Sequence, residues 1–297
     1  MAPISDPGTS LSSGPLAEQR RPTIPPTSSH QTPAAPNTAH NLLEVLDVEL
    51  LDRDLYRGPI TTGHEVHPSL FGGQVAAQAL RAAGLTVASD RAPHSLHGYF
   101  LRRGKSAQPV ILRVWRDRDG ASFSARRVVA IQGGEVIFSM IASFHVHEES
   151  GSYEADGPAD VPTPESLDER PGPWFVEVRE VTKPVEHDGV AWVSDRLWAR
   201  VPEPMPDDPL LHACALTYIS DLGSGFGGLT VPGLAQGGPS IDHAVWFHQA
   251  IRADEWMLVD LSPVKAGGAR GVYLGTVRSR DGALGAMLSQ ETLLRAR

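Results

Sequence analysis

One plan of elements occurs twice in this chain. In the first half, FGGQVAAQALRAAGLTV (71–87) reads as a helix of mostly small residues opened by glycines. Four strand patterns follow it: HSLHGYFLR (94–102), PVILRVWRD (109–117), SFSARRVVAIQ (122–132) and EVIFSMIASFHV (135–146). In the second half, LHACALTYISDLG (211–223) is the helix candidate, and PSIDHAVWFHQ, EWMLVDLSPVKAG, ARGVYLGTVRSRDG and ALGAMLSQETLLR are the strands. The first-half strands are joined by short connections carrying glycine, at Arg103-Gly104, Asp119-Gly120 and Gly133-Gly134, which predicts antiparallel meanders. Three dipeptides suggest a register between the halves. Ser95-Leu96 returns as Ser240-Ile241, Ala125-Arg126 as Ala269-Arg270, and Ala142-Ser143 as Leu288-Ser289. Repetition in the same order predicts a tandem duplication of a unit of one helix and a curved antiparallel sheet, an α+β fold.

The rest of the 297-residue chain fits around that plan. Residues 1–40 are rich in Pro, Ser, Thr and Ala and hold too little apolar surface to offset the entropy of ordering them, so a disordered tail is expected. A short helix is expected from Asn41, with Leu42, Leu43, Leu46 and Leu50 as its apolar positions, and then a strand through LYRGPI. The first unit then spans 41–147, an acidic, Pro-rich linker 148–190, and the second unit 191–297. A formal charge of -9 argues against a general nucleic-acid binder. The single cysteine, Cys214, excludes an intrachain disulfide and fits a reducing, cytoplasmic setting. No apolar run is long enough to span a membrane, and the N-terminal segment has no apolar core of a signal peptide.

Duplication makes the polar residues easier to judge. Period-two alternation puts Leu284, Ala286, Leu288 and Gln290 on one face of the last strand, so Gln290 is an amide on an apolar face, where the first half has Phe144. Asp221 interrupts the second helix where the first has alanines. A buried carboxylate and amide are costly unless hydrogen-bonded, and a satisfied structural pair is the plain reading. The other reading adds Ser240. Ser, Asp and Gln without a general-base His suit a site that holds a water rather than a side-chain nucleophile.

These residues carry a resemblance. FGGQVAAQAL, HSLHGYFLRRG, DGASFSARRVVAIQ, LWARVPEP-x-PDDPLLHACALTYISD, SIDHAVWFH and the final SQE resemble the type II, TesB-like acyl-CoA thioesterases, from about Asn41 to the C-terminus. The resemblance implies a double hotdog, two tandem units of a long helix wrapped by a curved antiparallel sheet. It implies a catalytic Asp221, Ser240 and Gln290, with Ser where many members have Thr. Asp221 would act as general base on a water oriented by Ser240 and Gln290, which would attack the carbonyl of an acyl-CoA thioester. Coenzyme A is then part of the substrate, no cofactor is needed, and a homo-oligomer is expected.

Other candidates weigh less. Gly72, Gly73 and Gln74, at a helix start, could approach substrate closely or merely pack the helix on the sheet. His94 is either a substrate contact or a capped structural histidine. Arg102, Arg103 and Lys105 could meet coenzyme A phosphates or form a solvated turn. Gly223, Gly225 and Gly228 match G-x-G-x-x-G, but a helix rather than a strand precedes them. No His pair joins a Cys or carboxylate set at metal-ligand spacing, so no metal is expected. Two rival functions remain: a hotdog hydratase on enoyl or 3-hydroxyacyl thioesters, using Asp242-His243, and a non-catalytic acyl-CoA binder. Alternation sends Asp242 and His243 to opposite faces, which weakens the first.

Overall fold

A computed structural model describes residues 38–61, 68–172, 175–182, 186–187, 190–191, 194–235 and 237–295. The tail expected at 1–40 lies almost wholly outside the described residues; its last three form part of β1 (Thr38–Ala39) and the lead-in to α1 (Leu42–Leu46). Asn41 caps α1 by accepting from Glu44 N, and Glu44 reaches back to His40 N, a reciprocal cap. β2 (Glu49–Asp52), β3 (Leu55–Gly58) and β4 (Ile60–Thr61) precede α2 (Gly72–Gly84). Then come β5 (Arg91–Phe100), β6 (Val110–Asp119), β7 (Phe123–Gln132) and β8 (Glu135–Val146). The second half has β9 (Glu177–Glu180), β10 (Glu186–His187), β11 (Val190–Ala191), β12 (Arg196–Arg200), α3 (Pro209–Ile219), β13 (Asp242–Phe247), β14 (Met257–Gly267), β15 (Arg270–Ser279) and β16 (Leu284–Leu293).

Twelve strands form one sheet in the order β2-β3-β6-β7-β8-β5-β13-β16-β15-β14-β12-β9. The order mirrors itself about the β5–β13 seam, where Leu96 pairs with Val245 and Tyr99 with Asp242, antiparallel. Few helices and a large antiparallel sheet make this an α+β architecture. The hairpin between β7 and β8 turns on Gly133 and Gly134, at φ 57° and 83°, a conformation that glycine adopts without penalty. One continuous core runs through both halves and includes Leu80, Leu96, Leu112, Phe138, Phe144, Tyr218 and Tyr273.

The strand ladders correct the register read from the dipeptides. Ser95 and Ala125 both pair with Ser143, whereas Ser289 pairs with Ala244 and Leu274. With Ser143 matched to Ser289, Ser95 corresponds to Ala244, four residues beyond Ser240. Ala125 likewise corresponds to Leu274, while Ala269 lies in the preceding turn at φ 61°. The three matches cannot hold together. Register is set by ladder pairing, turn length and bulges, such as the slip between Pro93 and Ser95, and a recurring dipeptide reports none of these.

The acidic segment between the halves is not a free tether. Val161 and Leu167 pack on the cluster of Trp198, Trp256 and Leu258. Trp198 Nε1 donates to Pro162 O at 2.9 Å, and Arg278 meets Glu154 at 2.6 Å. The segment thus covers apolar surface that the second half of the sheet would otherwise expose to water. Replacing Trp198 with Ala removes both anchor and hydrogen bond. Limited proteolysis followed by mass analysis should then show faster cleavage between residues 150 and 170 than in the wild type; equal rates would refute the clamp.

Candidate active site

The site begins with how close two helices come. α2 and α3 lie antiparallel: Gly73, at the start of α2, faces Tyr218 at the end of α3, and Gly84 faces Leu210. A methyl group at Gly73 would stand 2.5 Å from the Tyr218 carbonyl oxygen, and one at Gly72 would stand 2.6 Å from Asp221 Oδ2. Only hydrogen fits at either position. Ala76, Ala77, Ala79, Ala82 and Ala83 continue the small, buried character of α2. At the far end Arg81 pairs at 3.3 Å with Asp208, the residue that caps α3.

α3 ends at Ile219, so Asp221 lies in the turn after the helix rather than within it. That turn delivers its carboxylate to the N-terminus of α2, where Gly73 N–H donates to it. Unpaired N–H groups at a helix start attract an anion. Ser240 immediately precedes Ile241, whose carbonyl accepts from Phe100 N, and bridges to Thr292 of β16. Gln290 comes from the buried face of β16, as alternation predicts. Gln290 Nε2 donates to Ser240 Oγ at 2.6 Å, and Ser240 Oγ lies 3.5 Å from Asp221 Oδ1. Gln290 also hydrogen-bonds Asp221. Asp221, Ser240 and Gln290, distant in sequence, converge as one cluster.

A further residue joins it. His243 is fully buried, and its Nδ1 hydrogen-bonds Gln290 Oε1. Its Nε2 lies 2.8 Å from Ser220 Oγ. Sequence reasoning set His243 aside as one of a pair with Asp242. The available signal was alternation itself, which puts His243 on the inward face with Val245. Asp242 faces the other way and accepts from Glu291 N at 2.7 Å. Burial raises the pKa of Asp221, opposed by His243, Gln290, Gly73 and Ser240. Burial lowers the pKa of His243, opposed chiefly by Asp221. The site therefore sets a carboxylate with weakened preference for its charge beside a neutral imidazole.

Gln74 is buried on the first turn of α2, with its Oε1 3.5 Å from Thr61 Oγ1. Among the described residues its Nε2 has no hydrogen-bond partner. His94 stands apart from the cluster. Its Nε2 contacts Ser143 Oγ at 2.7 Å and its ring packs among Phe123 and His145. Ser143 alternates with the buried Ala142 and Phe144, so this contact is on the sheet face turned away from α2. Arg102 pairs with Glu135 at 3.0 Å and bonds Val136 O, as a solvated turn would. The glycine-rich loop after α3 is filled from within: Gly227 and Gly228 each donate at 2.9 Å to Asp195. Among the described residues no three His, Cys, Asp or Glu side chains are grouped to hold a metal ion, and no helix is long and apolar enough to cross a membrane.

Comparison with known proteins places this geometry. Family models for the acyl-CoA thioesterase N-terminal and C-terminal domains match residues 61–145 and 156–294. Acyl-coenzyme A thioesterase 8 of Rattus norvegicus is 35% identical over 292 residues, covering 85% of this chain and 88% of that protein. The crystal structure of acyl-CoA thioesterase II TesB2 from Mycobacterium marinum superposes with a TM-score of 0.71 at 40% identity, covering 86% of this chain and 97% of that one. A protein with a hot dog fold from Alicyclobacillus acidocaldarius, at 21% identity and a TM-score of 0.68, covers 87% of this chain and 99% of that one and supports the fold alone. The class defined is a thioester hydrolase with a hotdog-type fold. The chain belongs to the TesB-like acyl-CoA thioesterase family.

The close helix contact yields a test of its own. Gly73→Ala forces a methyl against the Tyr218 backbone and should cost about 1–3 kcal/mol of stability in a denaturant melt. Gly84→Ala meets only the flexible end of Leu210 and should cost less; a reversed order would contradict the packing described.

Proposed function

We propose that this chain hydrolyses acyl-CoA thioesters by direct attack of a water held at Asp221, Ser240 and Gln290. The convergence of those three side chains carries the reading. The Ser240–Asp221 separation is the loosest contact in the cluster, and a water bonded to both groups would sit across it. Asp221 takes a proton from that water as its oxygen attacks the thioester carbonyl. The tetrahedral intermediate then collapses, the C–S bond breaks, and the proton passes from Asp221 to the departing thiolate. The products are a carboxylic acid and free coenzyme A, with no covalent enzyme intermediate. Gly72 and Gly73 lie beside Asp221, and Gln74 Nε2, buried and without a partner among the described residues, is available to a polar atom of the substrate.

The family relationship and the mirrored sheet order support reading residues 41–147 and 191–297 as tandem hotdog units joined by 148–190, the first built on α2 and the second on α3, with β9 of the joining segment adding the edge strand to the second half of the sheet. A homo-oligomer remains part of this proposal. The hydratase alternative loses its residue pair, because Asp242 and His243 lie on opposite faces of β13 with separate partners.

Thiol release from short-, medium- and long-chain acyl-CoAs tests the proposal. Cys214 is buried, with its thiol pKa pushed up by burial, so the reagent reads released coenzyme A. Asp221→Asn should lower kcat by about 10²–10⁴-fold, the usual contribution of a general base, while the protein stays folded. A folded variant with wild-type turnover would reject the assignment.

The pH dependence follows from the direction of the Asp221 shift. The base works when deprotonated and burial raises its pKa, so kcat/KM should fall as pH falls, with a midpoint above the ordinary aspartate value of 3.8. Raised folded-state pKa also means that ionised Asp221 costs stability as pH rises through that value. Asp221→Asn should therefore melt higher than wild type at neutral pH, with the difference shrinking in acid. An acid midpoint at or below the ordinary value would contradict both statements.

A further inference from the structure

We propose that His243 is a positioning residue that fixes the direction of the Gln290 amide and, through it, the donor order of the whole site. The inference rests on the thioesterase reading above. A glutamine amide fills nearly the same volume in either orientation, and only its neighbours choose between them. The site needs the N–H end toward Ser240 and Asp221; the reverse would aim carbonyl lone pairs at a carboxylate. Gln290 is buried at 3% exposure, so bulk water cannot impose the choice.

His243 can impose it. Its Nδ1 hydrogen-bonds Gln290 Oε1, and its Nε2 faces Ser220 Oγ at 2.8 Å. Ser220 Oγ also lies 2.9 Å from Thr217 O, but a hydroxyl has one proton to give. Given to His243 Nε2 rather than to Thr217 O, to which the geometry also allows it to donate, that proton sets the neutral imidazole as the Nδ1–H form. The bonds then run head to tail. Ser220 O–H donates to His243 Nε2, His243 Nδ1–H to Gln290 Oε1, Gln290 Nε2–H to Ser240 Oγ, and Ser240 O–H to Asp221 Oδ1. Gly73 N–H meets the same carboxylate from α2. Every donor points toward Asp221, so the carboxylate is the terminal acceptor, and a water entering there meets a base whose neighbours are already oriented. His243 sits where β13 otherwise presents aliphatic Val245 to the core. An imidazole with no exposed surface is retained there at a desolvation cost that its two hydrogen bonds offset.

Substitutions that keep one ring nitrogen or the other separate this role from mere packing. Asparagine carries its amide nitrogen near the position of Nδ1; glutamine reaches instead toward Nε2 and leaves Gln290 Oε1 without a donor. Thiol release by the full chain should show kcat for His243→Gln lowered roughly ten- to hundred-fold, the scale of a misplaced catalytic group, with KM little changed. His243→Asn should recover most of that loss. In a Gln290→Ala background, His243→Gln should add nothing. If His243→Gln does not fold, Ser220→Ala replaces it in the cycle, with the same silence expected beside Gln290→Ala. Wild-type kcat for His243→Gln, equal losses for the Asn and Gln variants, or a double variant whose loss is the product of the two single losses would each overturn the role of His243. Those results alongside an inactive Asp221→Asn sink this inference alone. A fully active, folded Asp221→Asn sinks the proposed function and this inference with it.

Discussion

The contact between α2 and α3 is the constraint on which the site depends. Two helices come near enough for a Gly73 hydrogen to lie against the Tyr218 carbonyl, a distance that no side chain allows. Their antiparallel sense places the N-terminus of one beside the C-terminal turn of the other. Free N–H groups of the first half thereby meet Asp221 of the second, and a buried carboxylate gains a partner without a cationic side chain. The alanines along α2 are all buried, as suits a helix packed against both α3 and the sheet.

The second seam is the β5–β13 ladder. It fixes β13 at the centre of the sheet, between β5 and β16, and so brings His243 beside Gln290 and Ser240 beside Thr292. Helix contact and strand ladder together define the cluster; either alone would leave Asp221 apart from Gln290. The cluster itself is costly. Burial works against the charge on Asp221 and against protonation of His243, and the attraction between the two groups, with hydrogen bonds from their neighbours, offsets part of that cost. A site of this kind trades stability for a base whose pKa lies above that of an exposed aspartate.

Much of this was legible in the sequence. Period-two alternation identified Gln290 as an amide on a core face, and TYISD and SIDHAVWFH carried the resemblance that singled out Asp221 and Ser240. The four meander strands of each half were drawn within a few residues of their observed limits, and β8 at Glu135–Val146 agreed at both ends. The first helix was drawn too long, since it ends at Leu46 and Leu50 lies in β2, and β9 and β12 were not read as strands. Matching dipeptides between the halves misled, because ladder register depends on bulges and turn lengths that leave no mark in a dipeptide. His94 misled for a related reason. It is near Ser95 in sequence, but its ring contacts lie on the sheet face away from α2.

Periodicity, turn residues and composition determined most elements of this protein, their α+β class and the burial of Gln290. Those are local properties, set by spacing along one strand or helix. Which buried polar groups meet was decided only by tertiary structure. Gly73, Asp221, the Ser240–His243 stretch and Gln290 belong to four different segments, and nothing local in any of them specifies another. His243 shows the difference most plainly: alternation says that it faces inward, but only the packed sheet supplies Gln290 on one side and Ser220 on the other. The direction of a hydrogen bond depends on both partners at once.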